Sequence, residues 1–243
     1  MSSRMMSMAT AGRLDAGRRV AGKLAPAKID FFYDVASPFS WLAFETLMRY
    51  RNIWEAEISL RPYFLGGVMQ ASGNKPPGTL KAKKVYMEKD LARMAKHHGV
   101  PIVPPEDFLA IFDTLGAQRL LTAASMEHPE SLERLSRELW RRIWGGGGEI
   151  VSAKGLGEAC SRAGLTEDAT GSLLSRAGEA GVKARLKEVT EEALERGAFG
   201  APWITIRVDD RPWEAFFGCD RFEVLAKALG QPWFGPHPPP SKL

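Results

Sequence analysis

One short segment near the start of the chain carries most of its structural information: Ile29-Asp30-Phe31-Phe32-Tyr33-Asp34-Val35-Ala36-Ser37-Pro38-Phe39-Ser40-Trp41. Its first six residues form an apolar, aromatic-rich run that is typical of a strand. Pro38 follows at the start of the next element, where its missing N–H costs nothing. Apolar residues then recur at helical spacing over 41–50, and Ile58 and Leu60 indicate a second strand. The segment therefore predicts a strand–helix–strand unit.

The motif Ser37-Pro38-Phe39-Ser40 lies where oxidoreductases of the thioredoxin fold carry Cys-x-x-Cys, and both cysteine positions hold serine here. Serine cannot exchange thiols and disulfides, which nearly excludes a disulfide oxidoreductase. A serine at a helix N-terminus can still donate a hydrogen bond to a thiolate, and the helix lowers a thiol pKa from about 8.5 by roughly one to several units. The motif thus favours glutathione as the source of the thiol; simple capping of the helix by Ser37 is the alternative.

The composition excludes several classes of protein. The 243 residues carry a formal net charge of +4, and this excess lies within residues 1–27, which hold five basic residues and one acidic residue. The rest of the chain is neutral overall, which argues against a nucleic-acid partner. No apolar run is long enough to span a membrane. With two cysteines, Cys160 and Cys219, and no spacing typical of zinc ligands, we expect a reducing compartment and no metal.

Composition and periodicity divide the chain into five parts. They are a disordered or targeting tail (1–27), the first part of a thioredoxin-like domain (28–79), a helical insertion domain (80–196), the second part of the thioredoxin-like domain (197–232) and an extended tail (233–243), which is proline-rich and exposed from Gly235 onwards. The helices predicted for the insertion are 80–98, 115–126, 129–144, 152–163, 166–177 and 182–196. Two strands, 203–208 and 213–217, and a helix over 221–229 follow. The predicted fold class is α/β, a thioredoxin-like domain with a large all-helical insertion.

A second candidate site segment is Gly200-Ala201-Pro202, just before the third predicted strand. In thioredoxin folds a cis-proline faces the active helix, and the residue before it exposes its backbone to an extended ligand. Pro202 would take that position, and Ala201 would pair with the cysteinyl unit of the ligand as an added strand. A trans proline that begins a strand is the alternative, and the sequence leaves the isomer open.

Two further segments carry candidate ligand contacts. At Cys219-Asp220, backbone N–H groups at a helix start would bind a carboxylate, and the Asp220 side chain would bind an ammonium. A γ-glutamyl group carries both charges; helix capping by Asp220 is the alternative. Cys219 has no basic partner, so we expect it to line the site or cap the helix. Asn74, in the loop 72–78, would bind the peptide backbone of the ligand, or would be an ordinary turn residue.

Several of these segments together resemble the kappa-class glutathione transferases, over about residues 28–243. The matching segments are 31–41, 49–54, 72–78, 127–130, 136–140, 197–202 and 217–221. The resemblance implies a homodimer, glutathione as co-substrate, and Ser37 as the catalytic residue that stabilises the thiolate. The glutathione-binding positions that it implies are Ser37, Pro38, Phe39, Asn74, Ala201, Pro202, Cys219 and Asp220.

The sequence departs from the family pattern at three positions. Phe39 stands where a tyrosine is often found, which removes a hydroxyl from the site. Cys219 replaces a usual serine, which would weaken glutathione binding only if that position acts through its hydroxyl. Ala201 replaces a bulkier residue, which would widen the pocket.

The expected function is that of a glutathione transferase that ionises glutathione for conjugation to small electrophiles or for reduction of organic hydroperoxides. One alternative is a glutathione-dependent isomerase of the 2-hydroxychromene-2-carboxylate type, and another is a non-enzymatic thioredoxin-fold module that binds partner proteins. The terminal Ser241-Lys242-Leu243 is a peroxisomal signal, so we expect a peroxisomal protein. The arginine-rich residues 1–27 make the mitochondrion the second choice.

Overall fold

A four-stranded mixed sheet lies at the centre of the computed structural model, which describes residues 26–105 and 113–240. Its strands are β1 (Ala27–Tyr33), β2 (Ala56–Pro62), β3 (Trp203–Arg207) and β4 (Glu214–Phe217). Their order is β2-β1-β3-β4; β1 is parallel to β2 and antiparallel to β3, and β3 is antiparallel to β4. β1 has a neighbouring strand on each edge, and its residues from Ile29 to Tyr33 are buried, so it forms a rigid base for the turn that follows.

The described helices are α1 (Pro38–Tyr50), α2 (Leu65–Ser72), α3 (Lys81–His98), α4 (Leu115–Glu127), α5 (Pro129–Trp144), α6 (Ala153–Arg162), α7 (Glu167–Arg176), α8 (Ala180–Glu195) and α9 (Phe222–Leu229). A 3-10 helix, Pro77–Thr79, precedes α3. The helices α3 to α8 all lie between β2 and β3 in the sequence, and each begins and ends close to its predicted limits. The boundaries of the five predicted parts stay a prediction.

Helix α5 docks the helical layer onto β1 and α1. Its apolar residues recur at i, i+3 and i+4, and Leu135 and Leu139 are fully buried. The Trp140 ring lies 5.1 Å from the Tyr33 ring and 4.9 Å from the Phe44 ring, measured between centroids. Burial of each large apolar side chain of this kind contributes about 1.5–3 kcal/mol to the stability of the fold. The N-terminus of α1 is therefore held from two sides, by the sheet and by α5.

Two features differ from the sequence predictions. Helix α2 follows β2 directly and was not predicted, because its eight residues contain Gly66 and Gly67 and are too few for a clear periodic signal. Helix α9 begins at Phe222, two residues after Asp220, so Cys219 and Asp220 lie in the turn before the helix.

The tail 233–243 is not exposed at Gly235, where the predicted exposure begins, because the Tyr50 hydroxyl donates to the Gly235 carbonyl at 2.8 Å. Just before the tail, the Trp54 indole donates to the Pro232 carbonyl at 2.8 Å. The Trp233 ring stacks on the Tyr50 ring at 5.1 Å between centroids. Aromatic packing thus ties the tail to the end of α1, an interaction that a proline-rich composition does not reveal.

Parts of three predictions lie outside the described residues. These are nearly all of the tail 1–27, the terminal Ser241-Lys242-Leu243 and residues 106–112 of the predicted helical insertion domain. Among the described helices, none is both long enough and apolar enough to cross a bilayer.

Candidate active site

A cavity of about 600 Å³ opens where α1 begins, between the loop after α2, one side of α3 and the segments before β3 and α9. All but one of the predicted glutathione-binding residues line it, namely Ser37, Pro38, Phe39, Asn74, Ala201, Cys219 and Asp220. Pro202 is buried behind Ala201. The structure therefore brings together, in one concave site, segments that are up to 180 residues apart in the sequence.

Ser37 is the N-cap of α1 and also faces the cavity. Its Oγ accepts a hydrogen bond from the Ser40 N–H at 3.1 Å and donates one to the Ala201 carbonyl at 3.3 Å. The side chain is nearly buried, with the residue 6% exposed, and the first turn of α1 contains no acidic residue. A sulfur atom beside Ser37 would meet the positive end of the helix with no opposing charge in that turn.

The turn between β1 and Ser37 is held by side chains that the sequence analysis did not single out. The buried Asp34 carboxylate accepts from the Ala36 and Leu65 N–H groups at 2.9 Å each. Burial raises the pKa of Asp34 to about 6 against the hydrogen bonds that lower it. An acidic residue directly after a strand of mostly apolar residues is the signal that could have revealed it.

Two helices of the inserted layer reach the same turn. The Gln118 amide of α4 accepts from the Val35 N–H at 3.3 Å and donates to the carbonyls of Tyr33 and Tyr63 at 3.0 and 2.7 Å. The Trp144 indole of α5 donates to the Val35 carbonyl at 3.0 Å. Gln118 is fully buried, and Thr122 is the other polar residue on the buried face of α4; a glutamine at a core-facing position of the helical repeat is the sequence feature that could have revealed it.

The segment before β3 presents its backbone to the cavity. The Ala201–Pro202 peptide bond is cis. Among the described residues, the Ala201 N–H donates to no acceptor, and the Ala201 carbonyl accepts only from Ser37 Oγ. The Asn74 amide donates to the Phe199 carbonyl at 2.7 Å, so Asn74 holds this segment as well as lining the cavity.

The turn before α9 supplies the opposite wall. Cys219 is 4% exposed, and burial raises the pKa of its thiol to about 12, so it is not a thiolate at neutral pH. The Asp220 carboxylate is exposed and pairs with Arg221 at 3.0 Å. Within the described part of the chain the Asp220 N–H has no backbone acceptor and the Cys219 N–H contacts only its own thiol, so both N–H groups can donate to an anion.

The side of the cavity towards α3 is largely apolar and rich in methionine, with Met69, Met87 and Met94 beside Phe39 and Tyr86, and it also carries the charged residues Lys83 and Asp90. A smaller cavity of about 400 Å³ continues along α3 from Phe39. Methionine side chains adapt to irregular ligands, so this side suits apolar groups of varied shape. The sequence analysis did not identify this surface, because helical spacing alone does not separate a pocket wall from core.

No group of three or more His, Cys, Asp or Glu side chains within residues 26–105 and 113–240 is arranged to hold a metal ion. Cys160, in α6, is buried in the core, and burial raises its pKa to about 11.

Comparison with known proteins agrees with this arrangement. Residues 28–230 match the family model of the DSBA-like thioredoxin domain. A solved structure of 2-hydroxychromene-2-carboxylate isomerase superposes with a TM-score of 0.66 at 27% identity, covering 84% of this chain and 94% of that one. The fold and the site thus define a DSBA-like thioredoxin protein, as the sequence predicted.

Two curated relatives are more similar in sequence. Glutathione S-transferase kappa 1 of Homo sapiens is 45% identical over 217 residues, which cover 88% of this chain and 96% of the relative. Glutathione S-transferase kappa 1 of Rattus norvegicus is 41% identical over 218 residues, with the same coverage. This chain therefore belongs to the kappa class of glutathione transferases and is an enzyme.

Proposed function

We propose that the cavity binds glutathione and that Ser37, with the N-terminus of α1, holds its sulfur as a thiolate. The observation that carries this proposal is the position of Ser37 Oγ, which caps α1 and lies 3.3 Å from the Ala201 carbonyl in the wall of the cavity. Pairing of the cysteinyl backbone with Ala201 would bring the sulfur to the helix N-terminus. The N–H groups of Cys219 and Asp220 would bind the γ-glutamyl carboxylate, and the Asp220 carboxylate would bind the γ-glutamyl ammonium. Pro38, Phe39 and Asn74 would complete the site.

The thiolate then attacks an electrophile bound against the apolar side of the cavity. With an aryl halide a carbon–sulfur bond forms and the halide leaves with its bonding electrons. With an organic hydroperoxide the thiolate attacks the terminal oxygen, the O–O bond breaks and the alkoxide takes a proton. The resulting sulfenic acid reacts with a second glutathione, releasing glutathione disulfide and water. Lowering of the thiol pKa and positioning supply the catalysis, with no covalent intermediate on the enzyme.

The test is a titration of bound glutathione by thiolate ultraviolet absorbance across pH, in the wild type and in Ser37→Ala. One hydrogen bond to a charged group is worth about 1.5–3 kcal/mol, so the bound thiol pKa should rise by about one to two units in the variant. Ser40→Ala is the matched control, because Ser40 belongs to the same motif, does not line the cavity and has a buried hydroxyl with no partner within the described residues. An unchanged pKa in Ser37→Ala would remove the assigned role.

A second candidate is a glutathione-dependent isomerase, which is favoured by the structural match to 2-hydroxychromene-2-carboxylate isomerase. Such an enzyme uses the same thiolate but releases glutathione intact. Separate incubations with 2-hydroxychromene-2-carboxylate and with an aryl halide, each followed by measurement of the remaining glutathione, distinguish the two reactions. An isomerase leaves the glutathione concentration unchanged, whereas a transferase lowers it. A partner-binding module would be indicated by the absence of any glutathione binding.

We also propose that the enzyme is a homodimer and that it is peroxisomal. The resemblance to the kappa class supports the dimer, and light scattering should then report twice the 26.8 kDa mass of one chain. The terminal Ser241-Lys242-Leu243 supports the peroxisome. Deletion of these three residues should abolish peroxisomal immunofluorescence of the untagged chain; mitochondrial staining of the full chain would favour the N-terminal segment instead.

A further inference from the structure

The hydroxyl proton of Ser37 is already engaged in the structure. A serine hydroxyl has one proton to donate, and the acceptor within hydrogen-bond distance of the Ser37 Oγ is the Ala201 carbonyl at 3.3 Å. The same oxygen accepts from the Ser40 N–H at 3.1 Å. In this arrangement Ser37 has no second donor to offer a sulfur atom, so thiol activation requires that the proton leave Ala201.

Ala201 is the residue whose backbone a peptide ligand would engage. It lines the cavity, its N–H has no acceptor among the described residues, and its carbonyl has Ser37 as its one donor there. An extended peptide that pairs with this residue would donate its own N–H to the Ala201 carbonyl. The carbonyl would then be satisfied by the ligand, and the Ser37 hydroxyl would lose nothing by turning to the sulfur.

We propose that the Ala201 carbonyl couples recognition of the ligand backbone to activation of its thiol, because the cysteinyl N–H of the ligand replaces the Ser37 hydroxyl there and releases it to the sulfur. The inference rests on the proposed function and adds the class of thiol that the site activates, namely cysteinyl peptides with a free amide N–H. A simple thiol lacks this N–H. If the Ser37 hydroxyl turned to such a thiol, the Ala201 carbonyl would be left without a hydrogen-bond donor.

The exchange needs no movement of the backbone. Rotation about the Cβ–Oγ bond of Ser37 redirects the proton, while the Oγ lone pair continues to accept from the Ser40 N–H. The cap of α1 is therefore kept in both arrangements, and the positive end of the helix stays beside the sulfur. Selectivity for the thiol arises because the Ala201 carbonyl and the ligand sulfur compete for the single proton of the Ser37 hydroxyl.

The experiment uses two glutathione analogues in which an ester oxygen replaces one amide N–H at constant size. The first replaces the cysteinyl N–H, and the matched control replaces the glycyl N–H. For glutathione and both analogues, the thiol pKa is measured free and at saturating enzyme by thiolate absorbance. We expect the cysteinyl ester to bind about tenfold more weakly and to lose about one unit of the pKa lowering that glutathione shows, whereas the glycyl ester keeps it.

The same titrations with Ser37→Ala complete the cycle. Since that variant has no hydroxyl to release, the two esters should show equal pKa lowering in it. Equal lowering of both esters in the wild type, or complete loss of binding of the cysteinyl ester alone, would overturn the coupling. If glutathione itself is ionised no more readily on the wild-type enzyme than in water, the proposed function fails instead, and the two failures are thereby distinguished.

Discussion

Gln118→Glu exchanges one amide nitrogen for oxygen at the centre of the contacts that hold the active turn. The side chain is fully buried, and its Nε2 donates to the carbonyls of Tyr33 and Tyr63 at 3.0 and 2.7 Å. A carboxyl group keeps the acceptor for the Val35 N–H but directs its second oxygen at two carbonyls that cannot donate. Because the change is nearly isosteric, packing is retained and the electrostatic effect is isolated.

The size of the effect depends on pH. A protonated carboxyl still donates one hydrogen bond, so one carbonyl loses its partner at a cost of about 1–3 kcal/mol. Ionisation removes the second bond and buries a charge, which raises the folded-state pKa of the new group above its unfolded value of about 4.3. A rise of about three units would remove a further ~4 kcal/mol at pH 8. Since the folded-state pKa is higher than the unfolded-state pKa, this ionisation costs no stability below about pH 4. The variant then loses stability as the pH rises from about 4 through the folded-state pKa.

Urea unfolding at several pH values, followed by tryptophan fluorescence, measures this difference. Gln70→Glu is the control, because Gln70 is exposed on α2 and the charge change is the same. We expect Gln70→Glu to follow the wild type at every pH and the gap for Gln118→Glu to widen between pH 5 and pH 8. Equal stability of the two variants at pH 8 would show that the Gln118 amide does not hold the turn.

Three further substitutions test other contacts. Asp34→Asn removes a carboxyl group whose pKa is raised to about 6 by burial. In urea unfolding, the unfolding free energy of the wild type should fall by about 3 kcal/mol as the pH rises from about 4 to about 6, and that of the variant should not. Tyr50→Phe removes the 2.8 Å bond to the Gly235 carbonyl and should lower the unfolding free energy by about 1–3 kcal/mol and speed hydrogen exchange in the tail. Cys219→Ser should change the glutathione Kd less than about threefold by calorimetry, because the proposed contact is a backbone N–H; tenfold tighter binding would show that a hydroxyl contributes.

The helices of the inserted layer were predictable because their signals are local. In α5 the apolar residues repeat at i, i+3 and i+4, and Pro129 marks its first turn. Helix α2 lacked such a signal, because two of its eight residues are glycine, and it packs against α8, which lies more than 100 residues later in the sequence. The tail was missed for a related reason: the rings of Tyr50 and Trp54 that hold it lie about 180 residues earlier in the sequence.

Some features of the candidate site were likewise predictable from local sequence, and others were not. The motif Ser37-Pro38-Phe39-Ser40 by itself determined the cap of α1, because a cap involves residues within four positions of each other, and it nearly excluded disulfide exchange because it holds no cysteine. The similarity to the kappa class was also visible in the sequence.

Tertiary structure alone decided which groups surround that motif. It set the cis state of the Ala201–Pro202 bond, the contacts of Gln118 and Trp144 with Val35, and the hydrogen bond from Ser37 to Ala201, which is 164 residues away. Local propensity cannot specify such contacts, because the distance between residues on different elements depends on how the helices and the sheet pack as a whole. The sequence thus gives the residue types at the site, whereas packing across the entire chain decides which group accepts the hydrogen bond of the Ser37 hydroxyl.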